Sequence, residues 1–224
     1  MSCYIGLSCL SINKFKRAER NSVLSAEARR ILSILSDSPI DEINTDVNGR
    51  PFFPGAHMDF SISHSGSAVA VSLVGDPAGS PRKVGNENIH VRTGCDIQLI
   101  RPRKNLRNIA EENFSEAERD YIFLQNEVAR FFQIWTLKEC YIKLRGLSVF
   151  DMPKAPSFVS DRKLFAFNAG SPLSFYLYEL AYAGECYMLA IAIEGNPYLE
   201  IREIRIFSQP EPWLSEPTVL GRYP

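Results

Sequence analysis

The stretch Phe132-Gln133-Ile134-Trp135-Thr136-Leu137-Lys138-Glu139-Cys140-Tyr141-Ile142-Lys143 decides how the second half of the chain is read. Its apolar residues do not alternate, and the pattern predicts a helix over about residues 126–144. Within it Trp135, Glu139 and Lys143 stand at i, i+4 and i+8 and share one face. With Trp135 anchored in the core, Glu139 and Lys143 point together at whatever lies opposite. On an open helix surface such a Glu–Lys pair contributes only about 0.2–0.5 kcal/mol. The Trp on the same face, with Lys138 beside it, tilts the reading towards a site.

What lies opposite is sought upstream. Residues 94–99 read as a strand, and Asp96 is a poor strand residue. If Cys95 and Ile97 face the core, Asp96 and Gln98 share the other face. That face is either solvated, or it sets Asp96 against Glu139 as a metal pair. Mg²⁺ takes one or two carboxylates besides phosphates and waters. Further upstream, residues 59–63 and 68–74 are two strands joined by a tight turn at Ser65-Gly66. Phe60 and Ile62 point to one side; Asp59, Ser61 and Ser63 point to the other.

The remaining elements follow from the same patterns. Residues 3–10 form a buried strand, and residues 22–35 a helix with Leu24, Ala28, Ile31, Leu32 and Leu35 inward. Residues 36–48 and 75–93 are loops, and residues 100–108 a polar connector. Ser115 and Glu118 form a capping box. Strands are expected at residues 163–167, 174–180, 187–193 and 199–207, and coil over residues 208–224. The class is α+β: two similar halves, residues 1–100 and 101–224, with a cleft between them.

Composition narrows the function. The 224 residues are 45% hydrophobic and 23% charged, which excludes a disordered or fibrous chain. With 25 basic against 26 acidic residues, the net charge of -1 disfavours a general nucleic-acid binder. No apolar run is long enough for a membrane helix, and no secretory leader is expected. Five scattered cysteines without C-x-x-C predict reduced thiols in a cytoplasm. His57, His64 and His90 have no zinc spacing. Ser63, His64 and Ser65 are sequence neighbours and no G-x-S-x-G exists, so a Ser-His-Asp hydrolase is disfavoured. Glycine-rich phosphate loops are absent, so any phosphate must be held by Arg, Lys and His side chains.

Three separated stretches, in order, carry a family resemblance. They are Gly49-Arg50-Pro51 with Phe60-Ser61-Ile62-Ser63-His64-Ser65, then Gly94-Cys95-Asp96-Ile97-Gln98, then Trp135 through Lys143. Together they resemble the 4′-phosphopantetheinyl transferase superfamily in its larger, surfactin-synthetase-activator-like branch. Cys95-Asp96-Ile97 followed by Arg101-Pro102-Arg103 is similar to the bacterial holo-acyl-carrier-protein synthase 2 type. The resemblance implies a pseudo-twofold pair of α+β subdomains, with coenzyme A and Mg²⁺ in the cleft. The implied reaction moves phosphopantetheine from coenzyme A to a serine of an apo acyl or peptidyl carrier protein.

The resemblance also implies roles. Asp96 and Glu139 hold the metal, and Glu139 is the base. Lys143 stabilises or protonates the leaving phosphate. His64 and Lys138, with Ser63, contact coenzyme A phosphates; Arg50 and Arg30 lie near its 3′-phosphate and adenine end. Two positions depart from the pattern. Ser61 stands where the family has Asn, and Gln98 where it usually has a second metal-binding Glu. Gln98 is expected to ligate through its amide oxygen or a water, without charge. Gln98 is also the support for the alternative, a non-catalytic carrier-protein or coenzyme A binder of the same fold. Arg101, Arg103, Lys104 and Arg107 are expected to dock an acidic carrier protein. Two halves can complete the cleft alone, so a monomer is expected.

Overall fold

A computed structural model of the chain describes residues 2–12, 15–37, 43–53, 58–75, 83–84, 87–88, 91–165, 173–195, 201–208 and 210–220. In chain order the main elements are β1 (Ser2–Cys9), α1 (Arg17–Ser36), β2 (Met58–Ser65), β3 (Ala68–Gly75), β4 (Arg92–Leu99), α2 (Leu106–Asn113), α3 (Glu116–Leu124), α4 (Glu127–Arg145), β5 (Leu173–Tyr182), β6 (Glu185–Glu194) and β7 (Ile201–Ile206). Shorter strands lie between and after them. Among the described residues no helix is long and apolar enough to cross a membrane.

Two sheets stack. The first runs β7-β1-β3-β2, antiparallel except for the parallel β1–β7 pair. The second runs from the short strand Trp213–Leu214 through β5 and β6 to β4. Strand periodicity assigns the layers. Cys3, Ile5 and Leu7 of β1 pack against Cys95, Ile97, Leu189 and Ile191 between the sheets. Val69, Val71 and Leu73 of β3 face outward onto Leu24, Ala28, Ile31 and Leu32 of α1. On the far side of the second sheet, Phe131, Ile134, Leu137 and Leu144 of α4 cover Phe175, Ala190 and Ala192. The mixed α+β expectation thus holds, as a helix layer, two sheets and a second helix layer.

Sheet membership does not follow a cut at residue 100. β4 joins the second sheet and β7 returns to the first. The connector expected over residues 100–108 is shortened, because Leu106 and Ala110, one turn apart, bury and start α2. The tail is not all coil: Trp213–Leu214 and Thr218–Leu220 pair with β5, and Leu220 enters the core. Pro212 and Pro217 stand immediately before these short strands, where no ladder N–H is needed. The expected loop at residues 75–93 and the strand at 163–167 fall partly outside the described residues. Short pairs, Lys83–Val84 with Glu87–Asn88 and Val159–Ser160 with Lys163–Leu164, are what is described there.

β2 and β4 are edge strands of different sheets, and they lie side by side. An edge strand carries unpaired backbone N–H groups. Here side chains of β2 accept them. Thr93 N donates to Asp59 Oδ2 (2.8 Å), Ile97 N to Ser63 Oγ (3.2 Å) and Leu99 N to Ser65 Oγ (2.9 Å). The sequence offset is 34 in all three, so the strands run in parallel register. Arg50 stitches the same seam to α4. It grips Asp59 with two nitrogens (2.8 and 2.6 Å) and donates to Thr93 O (3.2 Å) and Lys143 O (3.1 Å).

Gly94 lets α4 come close to β4. A Cβ at this position would sit 2.5 Å from Cys140 O and 3.0 Å from Leu144 Cβ. Backbone cannot yield as a flexible side chain can. Gly94→Ala should therefore lower stability by about 1–3 kcal/mol, read as a fall in the urea midpoint. An unchanged midpoint would show that helix and strand are not held this closely.

Candidate active site

The site is assembled where α4 crosses the seam. α4 ends at Gly146, whose φ of 66° suits glycine and whose N–H caps the carbonyls of Ile142 and Lys143. Trp135 anchors the helix, stacking on Phe131 with ring centroids 5.7 Å apart. The buried side of α4 leaves Glu139 and Lys143, one turn apart, at the rim of the sheet.

Lys143 Nζ donates to Asp96 Oδ1 (2.6 Å) and to Ser63 Oγ (2.9 Å). Ser63 Oγ in turn donates to the same Asp96 oxygen (2.8 Å). Gln98 Nε2 donates to Asp96 Oδ2 (2.9 Å). Asp96 is only 1% exposed, so a buried carboxylate is held by an ammonium, a hydroxyl and an amide. Such satisfaction is what a buried charge requires. A cleft of about 540 Å³ opens on this cluster, walled by Ser63, His64, Asp96, Gln98, Glu139 and Lys143, with Ser25, Ala28 and Arg29 of α1 across it. A second cavity of about 230 Å³, lined by Arg50, Ser61, Ile62, Gly146 and Leu147, shares Lys143 with it.

The charges in the cleft are uneven. Burial first, and then the neighbouring Asp96, push the Glu139 carboxyl up to about 7, against a smaller opposing pull from Lys143. Lys143 is held above its ordinary value by Asp96, despite its own desolvation. Partial enclosure and then the Lys143 charge draw the His64 imidazole down.

The cleft suits a small hard cation. Two carboxylates face it, and their mutual repulsion is what a divalent ion relieves. Among the described residues no group of three His, Cys, Asp or Glu gathers anywhere. Any ion here would have to complete its shell with oxygens other than carboxylates, such as amide, substrate or water oxygens.

Asp96, Glu139, Lys143, His64, Ser63 and Gln98 are thus brought together. Three expected contacts are placed differently. Lys138 is buried and paired with Glu118, away from the cleft, because its position on α4 points into the helix layer. Arg30 pairs with Glu27 (2.7 Å) and lies over the Phe207 ring, and its neighbour Arg29 reaches the cleft. Arg50 lines the smaller cavity, but Asp59 and two carbonyls hold its guanidinium. Arg29 and Asp59 were not singled out from sequence. Helical spacing from Ser25 and Ala28 could have marked Arg29; nothing local marks the Asp59–Arg50 pair.

Residues 92–185 match the family model described as the 4′-phosphopantetheinyl transferase superfamily. The chain is 35% identical over 138 residues to the 4′-phosphopantetheinyl transferase AcpT of Salmonella typhimurium, covering 58% of this chain and 62% of that protein. It is 35% identical to AcpT of Escherichia coli over 54% of this chain and 56% of that one. To the 4′-phosphopantetheinyl transferase gsp of Aneurinibacillus migulanus it is 32% identical, over 46% of this chain and 37% of that one. The aligned part spans less than two thirds of each relative's length. The strand bearing Asp96 and the helix bearing Glu139 and Lys143 both fall inside the residues that match the 4′-phosphopantetheinyl transferase superfamily model.

Proposed function

We propose that this chain transfers the 4′-phosphopantetheine group of coenzyme A to a serine of an apo carrier protein, releasing adenosine 3′,5′-bisphosphate. One observation carries the reading. Asp96 and Lys143, 47 residues apart, meet at 2.6 Å in a cleft that Glu139 also walls. In the reaction the serine oxygen bonds to the pantetheine-side phosphorus of the pyrophosphate. The bond from that phosphorus to the bridging oxygen breaks, and the adenosine bisphosphate leaves with that oxygen.

Asp96 and Glu139, with the Gln98 amide oxygen, are the residues to hold Mg²⁺. When bound, Mg²⁺ supplies charge neutralisation at the pyrophosphate oxygens. Glu139 walls the cleft one helical turn from Lys143, and as a carboxylate it is the group to take the serine proton, directly or through water. Lys143 is charged and aimed into the cleft, where it steadies the leaving phosphate or gives it a proton. His64 and Arg29 offer further contacts to coenzyme A phosphates from the outer wall. Arg101 and Lys104 are exposed just beyond β4. With Arg103, which lies over Trp135, and Arg107, which lies over Phe123, they form a basic rim for an acidic carrier.

The direct test mixes the protein with an apo carrier protein, coenzyme A and Mg²⁺. Mass spectrometry should show the carrier gaining one phosphopantetheine group. Glu139→Gln and Lys143→Met should each reduce the rate by about 10²-fold or more. No adduct with any of several carriers, despite coenzyme A binding, would favour the non-catalytic binder. Gln98→Glu adds a third carboxyl and should lower the Mg²⁺ concentration for half-maximal rate; an unchanged titration would place Gln98 away from the ion.

Stability provides a separate check. Glu139 titrates near 7 in the fold against an ordinary value of 4.5. The folded state therefore holds this proton more tightly than the unfolded chain does. Its contribution is complete below about pH 4.5 and is lost as the pH rises through about 7. In metal-free buffer, Glu139→Gln should gain stability relative to wild type on going from pH 4.5 to pH 8.5, by up to ~3 kcal/mol. A difference independent of pH would contradict a buried, raised carboxyl.

A further inference from the structure

Lys138 and Glu118 form a fully enclosed ion pair. Lys138 Nζ lies 3.0 Å from Glu118 Oε2, with side-chain exposures of 2% and 0%. The same carboxylate accepts from Ser115 N (2.9 Å) at the start of α3 and from Phe158 N (3.0 Å) in the segment after α4. The ammonium also donates to Asn113 O and Ala155 O (3.4 Å each) and sits 5.5 Å from the Phe114 ring centroid. One pair therefore ties the α2–α3 junction, α4 and the following segment together. It lies one residue from Glu139 and five from Lys143.

Apolar helix faces tolerate small slips and rotations, because hydrophobic contact is non-directional. A buried charge does not, since losing its partner leaves an uncompensated ion in the core. The Lys138–Glu118 pair is satisfied at one rotation and one axial position of α4. That setting is the one at which Glu139 and Lys143 face Asp96.

We propose that Lys138 is a positioning residue: its buried pair with Glu118 sets the rotation and register of α4, so that Glu139 and Lys143 enter the cleft, and it does not touch substrate phosphate. The kinetic part of this inference rests on the transferase reading; the labelling part does not.

Two measurements test it. In the transfer assay, Lys138→Met should lower kcat by more than about tenfold while KM for coenzyme A stays within about twofold. Adding Glu118→Gln removes the stranded charge, keeps a carbonyl oxygen for one of the two backbone donors, and should restore part of kcat. A large rise in KM for coenzyme A that the second substitution does not relieve would overturn the proposal. The second measurement uses the wild-type chain and needs no variant to fold. Brief acetylation, read by peptide mass spectrometry, should leave Lys138 unmodified with or without coenzyme A. Labelling in the free protein that coenzyme A then blocks would overturn the proposal. If the wild type neither binds coenzyme A nor modifies a carrier, the transferase reading fails alone, and labelling still decides the place of Lys138.

Discussion

Two sheet edges meet where β2 lies beside β4, and everything at the site depends on how that meeting is bonded. Each edge would otherwise expose backbone donors to a partly buried groove, at a cost for every unpaired group. Asp59, Ser63 and Ser65 supply acceptors from side chains for three of these donors, each at the same sequence offset. A side chain is longer than the backbone ladder it replaces. The strands therefore stand apart, and polar side chains are gathered where they face each other. Ser63 shows the consequence. Its hydroxyl accepts from Ile97 N and Lys143 Nζ, and donates to Asp96. One serine thus joins both sheets and α4 to the carboxylate.

The charge distribution follows from that packing. Asp96 is buried first and satisfied first, by groups that cannot move far. Glu139 comes second and finds the local cation already engaged. Its carboxyl is raised by burial and by Asp96. The Arg50–Asp59 clamp and the Lys138–Glu118 pair work on the other side of this balance. Both use charge to fix backbone.

The sequence disclosed what periodicity can disclose. Period two on β4 set Asp96 and Gln98 opposite Cys95 and Ile97, and Cys95 and Ile97 are in the core between the sheets. The four-residue spacing on α4 set Glu139 over Lys143, and both reach the cleft. It could not resolve neighbours one residue apart on a helix. Arg30 and Lys138 were expected at phosphate, yet a rotation of about 100° per residue carries each to other surroundings. Long-range pairing was hidden for a different reason. Glu118 was legible as a capping residue, but its second partner lies twenty positions on, in another helix. The tail strands were missed because two or three residues carry no readable alternation.

The most direct measurement is a crystal structure grown with coenzyme A and Mn²⁺ in place of Mg²⁺, phased to reveal the ion by its anomalous signal. Convergence of β4 and α4 on one cleft predicts a single peak within roughly 2.0–2.3 Å of carboxylate oxygens from both Asp96 and Glu139. An ion held by neither, or Glu139 turned out of the cleft while the ion sits on Asp96 alone, would contradict it.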